Sequence, residues 1–391
     1  MSSVNSNIVI VAASRTPMGG FQGALSDKSV TELGEGVIRA AIEKSNIAAD
    51  QIDEVIMGCA LPAGAGQAPA RQSALKAGLP DDVPCTTINK VCGSGMKAVM
   101  LGASQLKNGE AKLVVAGGME SMTNAPYLLD KARGGMRLGH GKMLDHMFTD
   151  GLEDAYEGRA MGVFSQQTAD RFNISREAMD DYAFQSLERA TKAIASGVFI
   201  DEISPVETRK GLVEVDEQPG KARPDKIRSL PPAFAKDGTV TAANSSSISD
   251  GAAALILMRE EDALAQGLTP LARIAGYVSH AQKPEEFTLA PIDGIRKLLD
   301  KVSWKVEDVD LFEINEAFAV VTMLAIKELS LDEDRVNIYG GACALGHPLG
   351  ASGARILVTL LHALKRTEGK RGVASLCIGG GEATAIAVET L

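Results

Sequence analysis

Two thiols, one imidazole and one carboxamide sit in the four stretches of this chain best suited to chemistry. Cys92 lies in Asn89-Lys90-Val91-Cys92-Gly93-Ser94-Gly95-Met96, just ahead of a helical pattern. A thiol at a helix N-terminus meets the positive end of the dipole, which favours thiolate. A buried structural cysteine is the competing reading, but the flanking glycines at a strand-to-helix turn favour chemistry. Cys377 lies in Ser375-Leu376-Cys377-Ile378-Gly379-Gly380-Gly381-Glu382. By itself it reads as a core strand cysteine. The glycine triplet adds backbone N–H groups, at Gly379 and beyond, that suit an oxyanion. His347 is held in Gly340-Gly341-Ala342-Cys343-Ala344-Leu345-Gly346-His347-Pro348-Leu349-Gly350, a loop costly to order unless it serves a purpose. Asn315 follows an apolar strand in Glu313-Ile314-Asn315-Glu316-Ala317-Phe318, where a helix cap is the commoner role. The four are read as converging beyond the carboxyl ends of strands, where sites form in parallel α/β sheets. Together they supply a nucleophile, a base, a second thiol and an amide.

The elements that must position them occur twice. Ile38-Arg39 is repeated by Ile295-Arg296, Asp53 by Asp310, Ser94-Gly95 by Ser352-Gly353, and Gly117-Gly118-Met119-Glu120 by Gly379-Gly380-Gly381-Glu382. The order is kept and the spacing drifts slowly, as surface insertions would cause in a duplicated unit. Apolar runs at 8–11, 55–57, 113–116, 271–278, 311–314, 373–378 and 384–388 predict buried strands. Helical patterns cover 96–106, 317–329 and 354–365. This alternation predicts mostly parallel sheets covered by helices. Between the repeats the texture changes. Gly-rich basic sequence at 131–142 precedes a helix with Ser175 as cap, a stripe of Met179, Ala183, Leu187, Ala190 and Ile194, and Gly197 as stop. The strand expected at 252–258 returns the chain to the first repeat.

Composition narrows the functions. The 391 residues suffice for about two to three domains. With 45% hydrophobic and 23% charged residues, the chain reads as globular rather than disordered. A net charge of -10 argues against nucleic acid and anionic membrane as partners. The longest apolar run, 317–326, is broken by Thr322 and falls short of the roughly 18 residues of a membrane span. The odd, low count of 5 cysteines suits a reducing compartment. The polar start at Met1–Asn7 and the end at Glu389-Thr390-Leu391 carry no address, so the cytoplasm is the expected location.

Over essentially its whole length the sequence closely resembles the thiolases. The resemblance is carried by Val91-Cys92-Gly93-Ser94-Gly95, Asn315-Glu316-Ala317-Phe318, Gly346-His347-Pro348-Leu349-Gly350 and Cys377-Ile378-Gly379-Gly380-Gly381. The second cysteine separates this set from the related ketoacyl synthases, which use Cys-His-His. The resemblance implies an α/β thiolase fold with duplicated βαβαβαββ halves in a five-layer αβαβα core. On this basis residues 1–120 with 245–270 form the N-terminal half, 121–244 an inserted loop domain for substrate binding and oligomerisation, and 271–391 the C-terminal half. It also implies a homodimer or homotetramer, coenzyme A thioesters as substrates, no cofactor and no metal. Cys92 would take up the acyl group while His347 takes its proton. Cys377 would then remove the α-proton of acetyl-CoA, and the carbanion would attack acyl-Cys92. The enolate oxygen would be held by His347 and a water on Asn315, and a second oxyanion by the N–H groups of Cys92 and Gly379. Ser246 would touch the pantetheine arm, although a plain polar loop is the competing reading, and Leu152 and Phe318 would pack on the same arm. Lys221 and Arg223 are candidates for the adenosine phosphates, with a solvated charged loop as the alternative.

Two positions depart from the family pattern. Arg159-Ala160-Met161-Gly162 replaces the His-Met-Gly typical of biosynthetic members, leaving Met161 as an acyl-pocket wall beside a small Ala160. Tyr339 stands where many thiolases have asparagine. The main reading is condensation of two acetyl-CoA to acetoacetyl-CoA. The alternatives are a degradative 3-ketoacyl-CoA thiolase of broader chain length and, remotely, a non-catalytic acyl-CoA-binding relative. A Rossmann dehydrogenase is poorer still, since no Gly-x-Gly-x-x-Gly follows the first strand.

Overall fold

The structure, a computed structural model, describes residues 7–391. Most of the polar start thus lies outside the described residues. Nine principal strands are β1 (Ile8–Arg15), β2 (Glu54–Gly58), β3 (Cys85–Ile88), β4 (Leu113–Ser121), β5 (Ser249–Arg259), β6 (Ala272–Ala281), β7 (Leu311–Ile314), β8 (Arg371–Ile378) and β9 (Glu382–Glu389). They lie in a ten-stranded sheet in the order β7-β8-β9-β6-β1-β5-β4-β2-β3, with a short Gly19–Gly20 strand beside β5. The pairs β2–β3, β2–β4 and β7–β8 are parallel, and the other principal pairs are antiparallel. The sheet is therefore mixed, not mostly parallel. Its antiparallel strands are covered on both faces, so they show the same unbroken apolar runs as parallel ones.

The duplication is plain in the pairing. The first half runs β2–β4–β5–β1 and the second β7–β8–β9–β6, with matching directions at each step. Asp53 Oδ2 accepts the N–H groups of Lys112 and Leu113, and Asp310 Oδ2 accepts those of Lys370 and Arg371. That shared bond sets Leu113 against Arg371, and therefore Met119-Glu120 against Cys377-Ile378. The expected match of Glu120 with Glu382 does not hold, because the glycine turn after β8 has no counterpart in the uninterrupted β4.

Helices fill three layers around the two half-sheets. Helix α1 (Val30–Ser45) starts at a capping box of Ser29 and Glu32. It packs with α2 (Pro69–Lys76) on the outer face of the first half. Helices α3 (Ser94–Asn108) and α8 (Leu349–Thr367) lie between the half-sheets. Helices α6 (Ala290–Val302) and α7 (Ala319–Leu329) cover the outer face of the second half. Along β1, Ile8 and Ile10 enter the middle layer while Val9 and Val11 enter the outer one, which is the period-two alternation of a strand buried on both sides. The layers read αβαβα, as the resemblance implies. In the segment between β4 and β5, α4 (Met161–Arg171) and α5 (Arg176–Ala195) stand beside the second half. The expected cap of α5 is present, for Ser175 accepts the N–H of Ala178. Its stripe is buried except at Ile194, which is half-buried.

Candidate active site

Cys92 sits on a strained elbow between β3 and α3. Val91 has φ of 47°, a left-handed conformation that a β-branched residue strongly resists. Side chains hold it there. Asn89 Oδ1 accepts the Val91 N–H at 2.8 Å, and Ser94 Oγ accepts the Lys90 N–H at 2.8 Å while donating to the Val91 carbonyl at 2.6 Å. A Cβ on Gly93 would fall 2.4 Å from Ile378 Cδ1. Glycine there lets β8, which carries Cys377, close on the elbow.

Burial pushes the Cys92 thiol up to about 11, against the pull of the N–H groups of Gly379 and of Cys92 itself. Burial also raises Cys377 well above the ordinary thiol range, and Cys92 nearby adds to the rise. The helix dipole was expected to favour thiolate at Cys92. Desolvation outweighs it, because a sulfur anion on the wall of a largely apolar cavity loses more solvation than one helix end returns. Both thiols therefore hold their protons at neutral pH.

His347 is neutral for the same reason. Burial first, then the Arg355 charge, lowers it to about 3. Its tautomer follows from Ser352, whose hydroxyl donates to the Pro348 carbonyl at 2.9 Å. The Ser352 oxygen, 2.5 Å from His347 Nδ1, must then accept, so Nδ1 carries the proton. Nε2 keeps its lone pair and is buried with no protein partner. That nitrogen is free to accept a proton, and His347 lines the same cavity as both thiols.

Asn315 directly follows β7 and is 1% exposed. It is not the helix cap, since α7 begins at Ala319 with Phe318 in that place. Its Nδ2 lies 3.5 Å from His347 Nδ1, and two donors at that distance form no bond. The Asn315 Oδ1 has no protein partner.

Cys92, His347, Cys377 and Gly379 line one cavity of about 370 Å³, whereas Asn315 does not. Leu152, Met161, Phe318 and Ser246 line the rest, so every expected contact to a substrate arm is brought to it except the two cations. Ala160 also faces the cavity beside Met161. Tyr339 does not, and stacks edge-on against Phe199. Lys221 and Arg223 line an adjoining cavity of about 310 Å³, which shares Ala242 and Ser247 with the first. Lys221 is paired with Glu217, and Arg223 lies 3.4 Å from Asp225. His347 departs from the strand-end expectation. It follows the short helix Ala342–Leu345, and its N–H is held by the Ser247 carbonyl at 3.1 Å.

Sequence reasoning passed over two groups that shape this site. Ser352 fixes the imidazole, and Glu316 binds four groups: Tyr182, Ser186, Asn337 and the Cys343 N–H. Glu316 thereby ties α5 to the loop that leads to His347. The repeat of Ser94 by Ser352 was the available signal for the serine. For Glu316, only its place beside Asn315 pointed to it.

Two thiols and an imidazole with an unpartnered ring nitrogen on one largely apolar cavity, with a backbone N–H directed at one thiol, are the parts of thiol-based acyl transfer. The chain belongs to the thiolase family. Residues 8–261 match the thiolase N-terminal domain and residues 268–390 the thiolase C-terminal domain. It is 49% identical over 386 residues to an acetyl-CoA acetyltransferase of Pseudomonas aeruginosa, covering 97% of this chain and 98% of that one. It is 50% identical over 392 residues to acetyl-CoA acetyltransferase 2 of Arabidopsis thaliana, covering 98% and 97%. The crystal structure of Acat5 thiolase from Ascaris suum in complex with coenzyme A superposes with a TM-score of 0.95 at 42% identity, covering 98% of this chain and 100% of that one.

Proposed function

We propose that this protein is an acetyl-CoA acetyltransferase that condenses two acetyl-CoA to acetoacetyl-CoA and coenzyme A, reversibly, through acetyl-Cys92. The observation that carries the reading is the neutral His347, whose unpartnered Nε2 shares a cavity with two protonated thiols. His347 Nε2 takes the Cys92 proton as sulfur attacks the thioester carbonyl. The N–H groups of Gly379 and Cys92, which already face that sulfur, receive the oxyanion. As the tetrahedral adduct collapses, the carbon–sulfur bond to coenzyme A breaks and that sulfur leaves with the Cys377 proton; the Cys377 thiolate so formed removes the α-proton of the second acetyl-CoA. A thioester α-carbon is a weak acid, and burial of Cys377 makes its thiolate a correspondingly stronger base. The carbanion attacks acetyl-Cys92, a carbon–carbon bond forms, the thioester bond to Cys92 breaks and the departing Cys92 sulfur takes back its proton from His347. Thiolysis is the reverse.

The remaining assignments belong to the same reading. Ser246, Leu152 and Phe318 flank the pantetheine arm, and Lys221 and Arg223 in the adjoining cavity receive the adenosine phosphates. The division at 1–120 with 245–270, 121–244 and 271–391 is supported by the repeated strand order on either side of the segment carrying α4 and α5. The edge strand β3 supports self-association as a homodimer or homotetramer. Five free cysteines support a cytoplasmic location. The test is coenzyme-A-dependent loss of acetoacetyl-CoA beside a long-chain 3-ketoacyl-CoA, with Cys92→Ala as blank. Strong preference for acetoacetyl-CoA is expected. Equal or better long-chain turnover would assign a degradative thiolase, with Ala160 as the opened wall.

A further inference from the structure

We propose that Glu120 is a positioning residue for the reaction. From the first half, its carboxylate fastens the loop that carries His347 in the second half, and so sets the base against Cys92. The inference rests on the reading of His347 and Cys92 just given and extends it to a residue outside the cavity.

Glu120 is fully buried near the end of β4. Its Oε2 accepts the N–H of Gly350 at 2.7 Å and of Ala60 at 2.9 Å, and its Oε1 accepts the N–H of Leu61 at 3.1 Å. The Cys59 thiol faces Oε1 at 3.7 Å. Among the described residues no lysine or arginine pairs with it. A buried carboxylate without a cation is costly unless N–H groups replace its water. Here three do, and one of them, Gly350, belongs to the first turn of α8, where the helix dipole adds to the attraction.

The packing shows why this bond reaches the chemistry. A Cβ on Gly118 would fall 2.0 Å from the Gly350 carbonyl oxygen, so β4 and the start of α8 are in backbone contact. Gly350 is three residues beyond His347, and Leu349 between them lines the cavity. On its other side His347 is held by Ser247. Glu120 thus anchors the backbone at the start of α8, two residues before the Ser352 that holds the imidazole itself, and it reaches there from the half that carries Cys92. A base displaced by an ångström loses about 10²-fold in rate.

The anchor has a charge dependence. Burial pushes Glu120 up to about 7, while its hydrogen bonds pull the other way. The titratable groups that face it are the Cys59 thiol and, across the elbow, Cys92. Protonation removes the charge that strengthens the three N–H bonds, so the anchor weakens as pH falls through this range.

The experiment compares wild type, Glu120→Gln and Glu120→Asp in acetoacetyl-CoA thiolysis from pH 5.5 to 9, with thermal melting of each. For wild type, kcat should fall on the acid side of about pH 7. For Glu120→Gln, kcat at pH 8 should be lower by about 10²-fold, with KM within about twofold and no acid limb of its own. Glu120→Asp keeps the charge on a shorter arm and should fall between them with the limb retained. Wild-type kcat at pH 8 in Glu120→Gln would overturn the proposal. So would an acid limb kept in Glu120→Gln, or a loss of kcat that only follows a loss of folded protein. If Glu120→Gln does not fold, the decision passes to the wild-type limb and to Glu120→Asp. Absence of turnover in wild type would instead reject the proposed function. Amide exchange of the 347–353 segment then still reads the anchor, and exchange in Glu120→Asp no faster than in wild type would refute it.

Discussion

At the end of β4 the chain carries Met119-Glu120, and at the matching place on β8 it carries Cys377-Ile378. The same contrast recurs at the starts of the two central helices. Ser94 braces the elbow of Cys92 through backbone bonds, whereas Ser352 accepts the proton-bearing nitrogen of His347. In the proposed reaction the second half contributes a base, a second thiol and an amide, and the first contributes the nucleophile. The frames are alike because the strand order is alike. The chemistry differs because each matching position was free to take a different side chain once the frame existed twice. What the first half lacks in reactive groups it holds in anchors, with Glu120 reaching across to Gly350.

That asymmetry can be broken one residue at a time. Replacing either cysteine by alanine should lower turnover by at least about 10⁴-fold, as when one member of a concerted catalytic group is removed. The two should part at the intermediate. Cys377→Ala should still gain an acetyl mass from acetyl-CoA on intact-protein mass spectrometry, and Cys92→Ala should not. His347→Asn should cost about 10²–10⁴-fold in kcat, the usual range for a lost general base. The two serines sharpen the contrast further. Ser352→Ala should lower kcat about tenfold by freeing the imidazole tautomer. Ser94→Ala should chiefly lower the melting temperature, through loss of about 1 kcal/mol of hydrogen bonding. Smallest of all is the Lys90–Glu382 pair, which also crosses between halves but is partly exposed. Lys90→Ala should change stability by under about 1 kcal/mol in chemical denaturation.

The reactive residues were legible because glycine-rich surroundings are rare and expensive to order. Helix α5 was legible because its cap, stripe and stop agree. The strand directions were not, since a strand covered on both faces leaves the same apolar run whichever way its neighbour points. Glu120 and Glu316 were invisible as functional groups because their partners are largely groups brought from remote parts of the chain, and no local pattern records those. The neutral state of Cys92 was misread for a related reason. The dipole is visible in a local sequence, whereas the desolvation that opposes it comes from residues hundreds of positions away. Lys221 and Arg223 fell outside the main cavity because charge alone says nothing of which loop faces which opening.

Strand β5 lies between β1 and β4, although the whole segment carrying α4 and α5 separates it from β4 in the chain. During synthesis, then, the first half waits with its central sheet open on both flanking edges until residue 259 has left the ribosome. At about 5–20 residues per second, the stretch from β4 to β5 takes on the order of ten seconds to emerge. The strand that joins β1 to β4 in the finished sheet is thus made only after the whole inserted segment, so the first half cannot close its sheet before that segment has emerged.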